Sequence, residues 1–177
     1  AVRWFEAMAP ARLGPDLASF NAVLGACAAA GNTAASMKWF QQISAAELHP
    51  DVVSYNAVTH SWAKVGNAAE ASRWLDRLVR SALAPDAFSY ATVIASCTRA
   101  SDAQRAASWL GRMARGSAPP DAAAYTSVLS SFARSSDVRA AERWADGMAR
   151  AHLELDAVAL SALARARAVG ARAAADS

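Results

Sequence analysis

Apolar positions recur along this chain at steps of three and four, and no segment alternates with the two-residue step of a strand. Val52, Tyr55, Val58, Trp62 and Ala63 mark one such stripe, the pattern of a helix with one buried face. Gly66-Asn67 then interrupts it. Glycine can end a helix in a left-handed conformation, and Asn can cap the helix that follows. A second helix is predicted from about Ala68 to Ser81, with Ala71, Trp74, Leu75, Leu78 and Val79 as its buried face. Pro85 lacks an amide hydrogen and stops further helix, and Asp86 can cap the next one. The same interruption returns as Gly31-Asn32, Ser101-Asp102 and Ser136-Asp137.

The unit repeats with a period of 35 residues. Tryptophan stands at Trp4, Trp39, Trp74, Trp109 and Trp144, and only Trp62 lies outside the series. Met8, Ile43, Leu78, Met113 and Met148 keep the same step. So do Pro15-Asp16, Pro50-Asp51, Pro85-Asp86 and Pro120-Asp121, followed by Leu155-Asp156. Phe20, Tyr55, Tyr90, Tyr125 and Leu160 form a fourth series. Several series in one register imply a repeat array, in which a single hairpin cannot bury both faces and each unit depends on its neighbours. The expected fold is all-α, a right-handed α-solenoid superhelix of tandem helix-turn-helix repeats. Its parts are a second helix of a truncated repeat (1–16), four repeats (17–51, 52–86, 87–121 and 122–156), and a first helix of a truncated or capping repeat (157–177). The Trp and Met series read as core between helices, not as a cofactor box.

Composition narrows the function only a little. A hydrophobic content of 54% with 19% charged residues excludes a disordered chain, and no apolar run is long enough to span a membrane. The net charge of +3 permits a polyanionic partner without requiring one. Cys27 and Cys97 form neither a disulfide framework nor a metal cluster and read as small buried residues. His49, His60 and His152 occupy three different places in the unit, without metal spacing, and are expected at the surface. No paired carboxylates, triad or glycine-rich phosphate loop stands apart from the repeat, so neither catalysis nor a cofactor is expected.

The unit resembles the pentatricopeptide repeat in its plain 35-residue form. The residues that carry the resemblance are Val52-Val53-Ser54-Tyr55-Asn56-Ala57-Val58, Ala63-Lys64-Val65-Gly66 and Ala84-Pro85-Asp86. Leu17-Ala18-Ser19-Phe20-Asn21-Ala22-Val23-Leu24 and His49-Pro50-Asp51 repeat the pattern one unit earlier. The tetratricopeptide repeat is a poorer match, because its unit has 34 residues and its tryptophan lies in the first helix. The resemblance implies a modular binder of single-stranded RNA that assigns one base to each repeat. It also implies an organellar factor, in mitochondrion or chloroplast, for RNA processing, stability or translation.

Carried over from that family, the fifth and last residues of each unit read a base. The pairs are Asn21 with Asp51, Asn56 with Asp86, Ala91 with Asp121, and Thr126 with Asp156, and Ser161 opens a fifth site. Asn with Asp resembles a uracil reader that tolerates cytosine, Thr with Asp a guanine reader, and Ala91 offers no polar group. The implied preference is 5′-U/C-U/C-N-G-3′. The base would be sandwiched by Ala18, Val53, Phe88, Ala123 and Val158, of which the two alanines give little to stack on. Lys64, Arg99 and Arg134 match a position that reaches phosphates.

Plainer readings stand beside these. Each closing Asp precedes a helix and can serve as an N-cap, and the three bases can be solvated charges favoured by a helix C-terminus. The alternative function is a protein-binding helical-repeat scaffold of tetratricopeptide-like type, marked by an apolar groove in place of the Asn, Thr and basic face. Apolar surface left on incomplete repeats at either end would favour end-to-end association.

Overall fold

The computed structural model describes residues 14–116 and 118–175, apart from the side chains of 173–175. The second helix expected within 1–16, with Trp4 and Met8, lies outside the described residues. Within them the chain is all helical: α1 (Leu17–Ala30), α2 (Thr33–Ala45), α3 (Val52–Lys64), α4 (Ala68–Arg80), α5 (Ala87–Arg99), α6 (Ala103–Arg115), α7 (Ala122–Arg134), α8 (Val138–Arg150) and α9 (Ala157–Ala175). Every odd-numbered helix begins 35 residues after the previous one. The chain divides inside α5 into two compact units, Ala1–Val93 and Ile94–Ser177.

Capping residues set the helix limits. The side chains of Asp16, Asp51, Asp86, Asp121 and Asp156 accept from the backbone N–H three residues on, at 2.7–2.9 Å. Each therefore satisfies one orphan donor of an odd-numbered helix. Asn32, Asn67, Asp102 and Asp137 do the same for the even-numbered helices, at 2.9–3.0 Å. Ahead of them Gly31 and Gly66 have φ of +67° and +79°, and Ser101 and Ser136 hold the same left-handed turn at +59° and +61°.

In the first unit, Phe20, Leu24, Ile43, Val58 and Trp74 form the core, flanked by Met37, Trp39, Phe40 and Tyr55. Phe40 meets both Tyr55 and Trp74 edge-on, with ring centroids 4.9 and 5.0 Å apart, an arrangement that places ring edges against faces. In the second unit Trp109, Leu110, Met113, Val128, Leu129, Phe132 and Met148 are buried, and Tyr125 lies beside Trp144. The described tryptophans are thus core and core-edge residues. Cys27 and Cys97 are buried and not joined in a disulfide.

Two expectations need correction. Val79, placed on the buried face of α4, is 37% exposed, because Trp74, Leu75 and Leu78 define the stripe and Val79 falls at its edge in the last turn. On α3 the contact surface is less apolar than the stripe implied: Ser54, Thr59 and Ser61 are buried while Tyr55 and Trp62 are only partly so. Thr59 and Ser61 turn their hydroxyls onto the carbonyls of Tyr55 and Val58, which lets small polar residues sit where two helices approach closely.

Candidate functional site

The caps of α3 and α5 are also the floors of polar clusters. Asp51 caps α3 and simultaneously accepts from the Asn21 side-chain amide on α1, at 3.1 and 3.4 Å to its two oxygens. The hydroxyl of Ser54 reaches Asn21 Oδ1 at 2.7 Å and Asp51 Oδ1 at 2.9 Å. One repeat later the geometry returns. The amide of Asn56 donates to Asp86 at 3.2 and 3.3 Å, and Ser89 reaches Asn56 Oδ1 at 2.6 Å and Asp86 Oδ1 at 2.7 Å. In the second unit Thr126 replaces Asn, its hydroxyl lies 3.4 Å from Asp156 Oδ2, and Ala159 stands where the serine would be.

Partial burial raises the carboxyls of Asp51 and Asp86. The backbone and hydroxyl donors of Ser54 and Ser89, with the amides of Asn21 and Asn56, outweigh it and hold both acids below the usual carboxylate range. Each stays an anion that accepts hydrogen bonds only.

A cleft of about 420 Å³ opens beside these clusters in the first unit, lined by Asn21, Gly25, Val53, Asn56, His60, Asp86 and Phe88 among others. Val53 and Phe88, expected as base-sandwiching residues, are 56% and 54% exposed and both line this cleft. Asn56 is 7% exposed, yet it lies among Asp86, Ser89 and the cleft, outside the tryptophan core. Thr126 is equally buried, whereas Ala18, Ala91, Ala123, Val158 and Ser161 are exposed. Ser161 spends its hydroxyl on the carbonyl of Val158 at 2.9 Å.

The three bases are exposed. Lys64 donates to the carbonyl of Ala29, and Arg134 Nη2 to that of Thr98 at 2.8 Å. His60 corrects the sequence reading: it is half-buried in the cleft, its ring 6.0 Å from that of Phe88. Ser54 and Ser89 are site residues that the family resemblance does not single out, although Ser19, Ser54 and Ser89 repeat at the 35-residue step. His49 and His152 are exposed. Among the described residues no three His, Cys, Asp or Glu are grouped to hold a metal, and no helix is long and apolar enough to cross a membrane.

Family models for a pentatricopeptide repeat domain and a PPR repeat match residues 38–100 and 123–153, together more than half of the chain. No curated protein sequence matches it. Among solved structures, the pentatricopeptide repeat protein PPR10 from maize is similar at 24% identity and a TM-score of 0.74, over 92% of this chain and 23% of its own. PPR10 in complex with an 18-nt psaJ RNA element gives a TM-score of 0.72 at the same identity, over 92% of this chain and 24% of its own. The PPR domain of Arabidopsis thaliana protein-only RNase P 1, in complex with tRNA, gives 0.81 at 11% identity, over 94% of this chain and 88% of that one. This chain spans about a quarter of the length of the maize protein. At such identities the structural likeness speaks for the fold, an all-α helical-repeat solenoid. With its 35-residue helical hairpins, closing Pro-Asp and matching family models, the chain belongs to the pentatricopeptide repeat family.

Proposed function

We propose that this chain binds single-stranded RNA, one repeat to one base, over the units 17–51, 52–86, 87–121 and 122–156. The observation that carries the reading is the recurrence of the Asn–Asp–Ser cluster, Asn21 with Asp51 and Asn56 with Asp86, beside the exposed Val53 and Phe88 on one cleft. A base needs an edge partner with fixed donors and acceptors and an apolar wall for its face, and both lie within this cleft. Structures of PPR10 and of the PPR domain of the plant RNase P hold RNA, which supports the same class of ligand here. Asn offers both a donor and an acceptor and suits a pyrimidine edge, so the expected preference is 5′-U/C-U/C-N-G-3′, with Ala91 leaving the third base unread. A role in mitochondrial or chloroplast RNA processing, stability or translation follows from the family resemblance; binding itself needs no chemistry within the chain.

A protein-binding scaffold is the weaker reading, since the cleft presents Asn21, Asn56 and Asp86 beside its apolar residues. Titration of short RNAs separates the two. A matched RNA should bind more tightly than one with purines at its first two bases, and Asn56→Thr should move the second preference from pyrimidine toward guanine. Equal affinity for all sequences would reject base reading; no binding of any RNA would reject the ligand class.

A further inference from the structure

Reading a base with an amide requires that the amide be held one way round. An Asn side chain has two nearly equivalent flips about its terminal torsion, and they exchange the donor and the acceptor shown to a ligand. In Asn21 and Asn56 both ends of the amide are spoken for. Nδ2 faces a carboxylate, which can only accept. Oδ1 faces a serine hydroxyl, whose one proton is shared between the amide oxygen and the carboxylate, at 2.7 and 2.9 Å from Ser54 and at 2.6 and 2.7 Å from Ser89. Each amide then has one N–H and one oxygen lone pair left, in fixed positions. Ser54 and Ser89 are fully buried, so water is poorly placed to replace the hydroxyl.

We infer that Ser54 and Ser89 are positioning residues of the first two base-reading sites, fixing the flip of Asn21 and Asn56 and with it the selectivity for pyrimidine. The inference rests on the base-reading proposal above. The chain carries its own contrast. At Thr126 the serine is replaced by Ala159, and among the described residues the only side-chain partner of the hydroxyl is Asp156, at 3.4 Å. A hydroxyl rotates freely about its C–O bond, and here a single long contact restrains it. The fourth site should therefore discriminate less than the first two. Ala159 and Ala124 also show that alanine is tolerated at this step after the closing Asp, both helices being capped as the others are.

The test measures affinities of the full chain for RNAs with a pyrimidine or a purine at the first or second base. Ser54→Ala should lower the ratio at the first base by about five- to tenfold, the size of one hydrogen bond to a polar group, and leave the second unchanged. Ser89→Ala should do the converse. Thermal unfolding run in parallel checks that both variants stay folded. Thr126→Asn alone should gain little pyrimidine selectivity at the fourth base, and Thr126→Asn with Ala159→Ser should gain it. Full selectivity in both serine variants overturns the inference while leaving base reading intact. An equal loss at both bases from either variant overturns it too, since that marks a general structural effect. An unmutated chain indifferent to base identity overturns this inference and the base-reading proposal together.

Discussion

Arg134 Nη2 donates to the main-chain carbonyl of Thr98 at 2.8 Å, tying the last turn of α7 to the last turn of α5. Lys64 makes the corresponding contact to Ala29, from the end of α3 to the end of α1. Both cations therefore sit on carbonyls that have no partner within their own helix, at the negative end of its dipole. A residue drawn from the sequence as a phosphate contact thus has a structural use that the sequence does not display.

The two uses separate experimentally. Arg134→Ala and Lys64→Ala should each cost about 1 kcal/mol of stability, the value of one hydrogen bond from a charged group with much of it in solvent. If each also neutralises a phosphate, the slope of log affinity against log salt should fall by about 0.7 per variant. Calorimetry and titration at two or more salt concentrations read these separately. An unchanged slope with a lowered melting point would leave the bases a purely structural role.

Phe88 and Trp74 are both large aromatics with opposite expected behaviour. Trp74 is 5% exposed within the core, so Trp74→Ala should cost about 3–5 kcal/mol and threaten folding. Phe88 is 54% exposed at the cleft. Phe88→Ala should barely move the melting point and weaken RNA binding by about fivefold or more, as loss of one stacked base would. A large loss of stability with unchanged RNA affinity would remove Phe88 from the site.

The repeat length, the helices and their caps were legible in the sequence because they follow from local chemistry: Pro-Asp, Gly-Asn and the three-and-four apolar step each act within a few residues. The pairing of Asn21 with Asp51 and of Asn56 with Asp86 came from family resemblance, and the hydrogen bonds join the same residues. Ser54, Ser89 and His60 were not legible as site residues. Serine three residues after an Asp reads as part of a cap, which it also is, and its bond to an Asn in the preceding repeat depends on how the hairpins stack. His60 has no repeating counterpart, so only the packing of α3 and α5 residues around the cleft brings it beside Phe88.

Acid should weaken the fold through Asp51 and Asp86. Their native carboxyls lie below the usual range, so the unfolded chain takes up protons first as pH falls. The stability they contribute is fully present above the unfolded value, about pH 4, and is lost as pH drops through the native one. The melting temperature should stay level from neutrality to about pH 5 and then decline. Asp51→Asn with Asp86→Asn keeps a capping oxygen and should flatten the decline while lowering the plateau. An identical acid profile in the double variant would place the acid sensitivity elsewhere.

Ser101 and Ser136 hold φ near +60° at turns where Gly31 and Gly66 stand in the other repeats. A left-handed conformation costs an L-residue about 1–2 kcal/mol relative to glycine, offset in part by the greater freedom that glycine gives the unfolded chain. Ser101→Gly and Ser136→Gly should therefore each stabilise the chain by a few tenths to about 1 kcal/mol. Both serines are exposed, so little packing is lost to confuse the comparison. Neither substitution touches the cleft around Asn21 and Asn56, and RNA affinity should be unaffected. Thermal unfolding of the two single variants and the double variant measures the gain, and a destabilised double variant would show that the serine side chains contribute more at these turns than backbone strain removes.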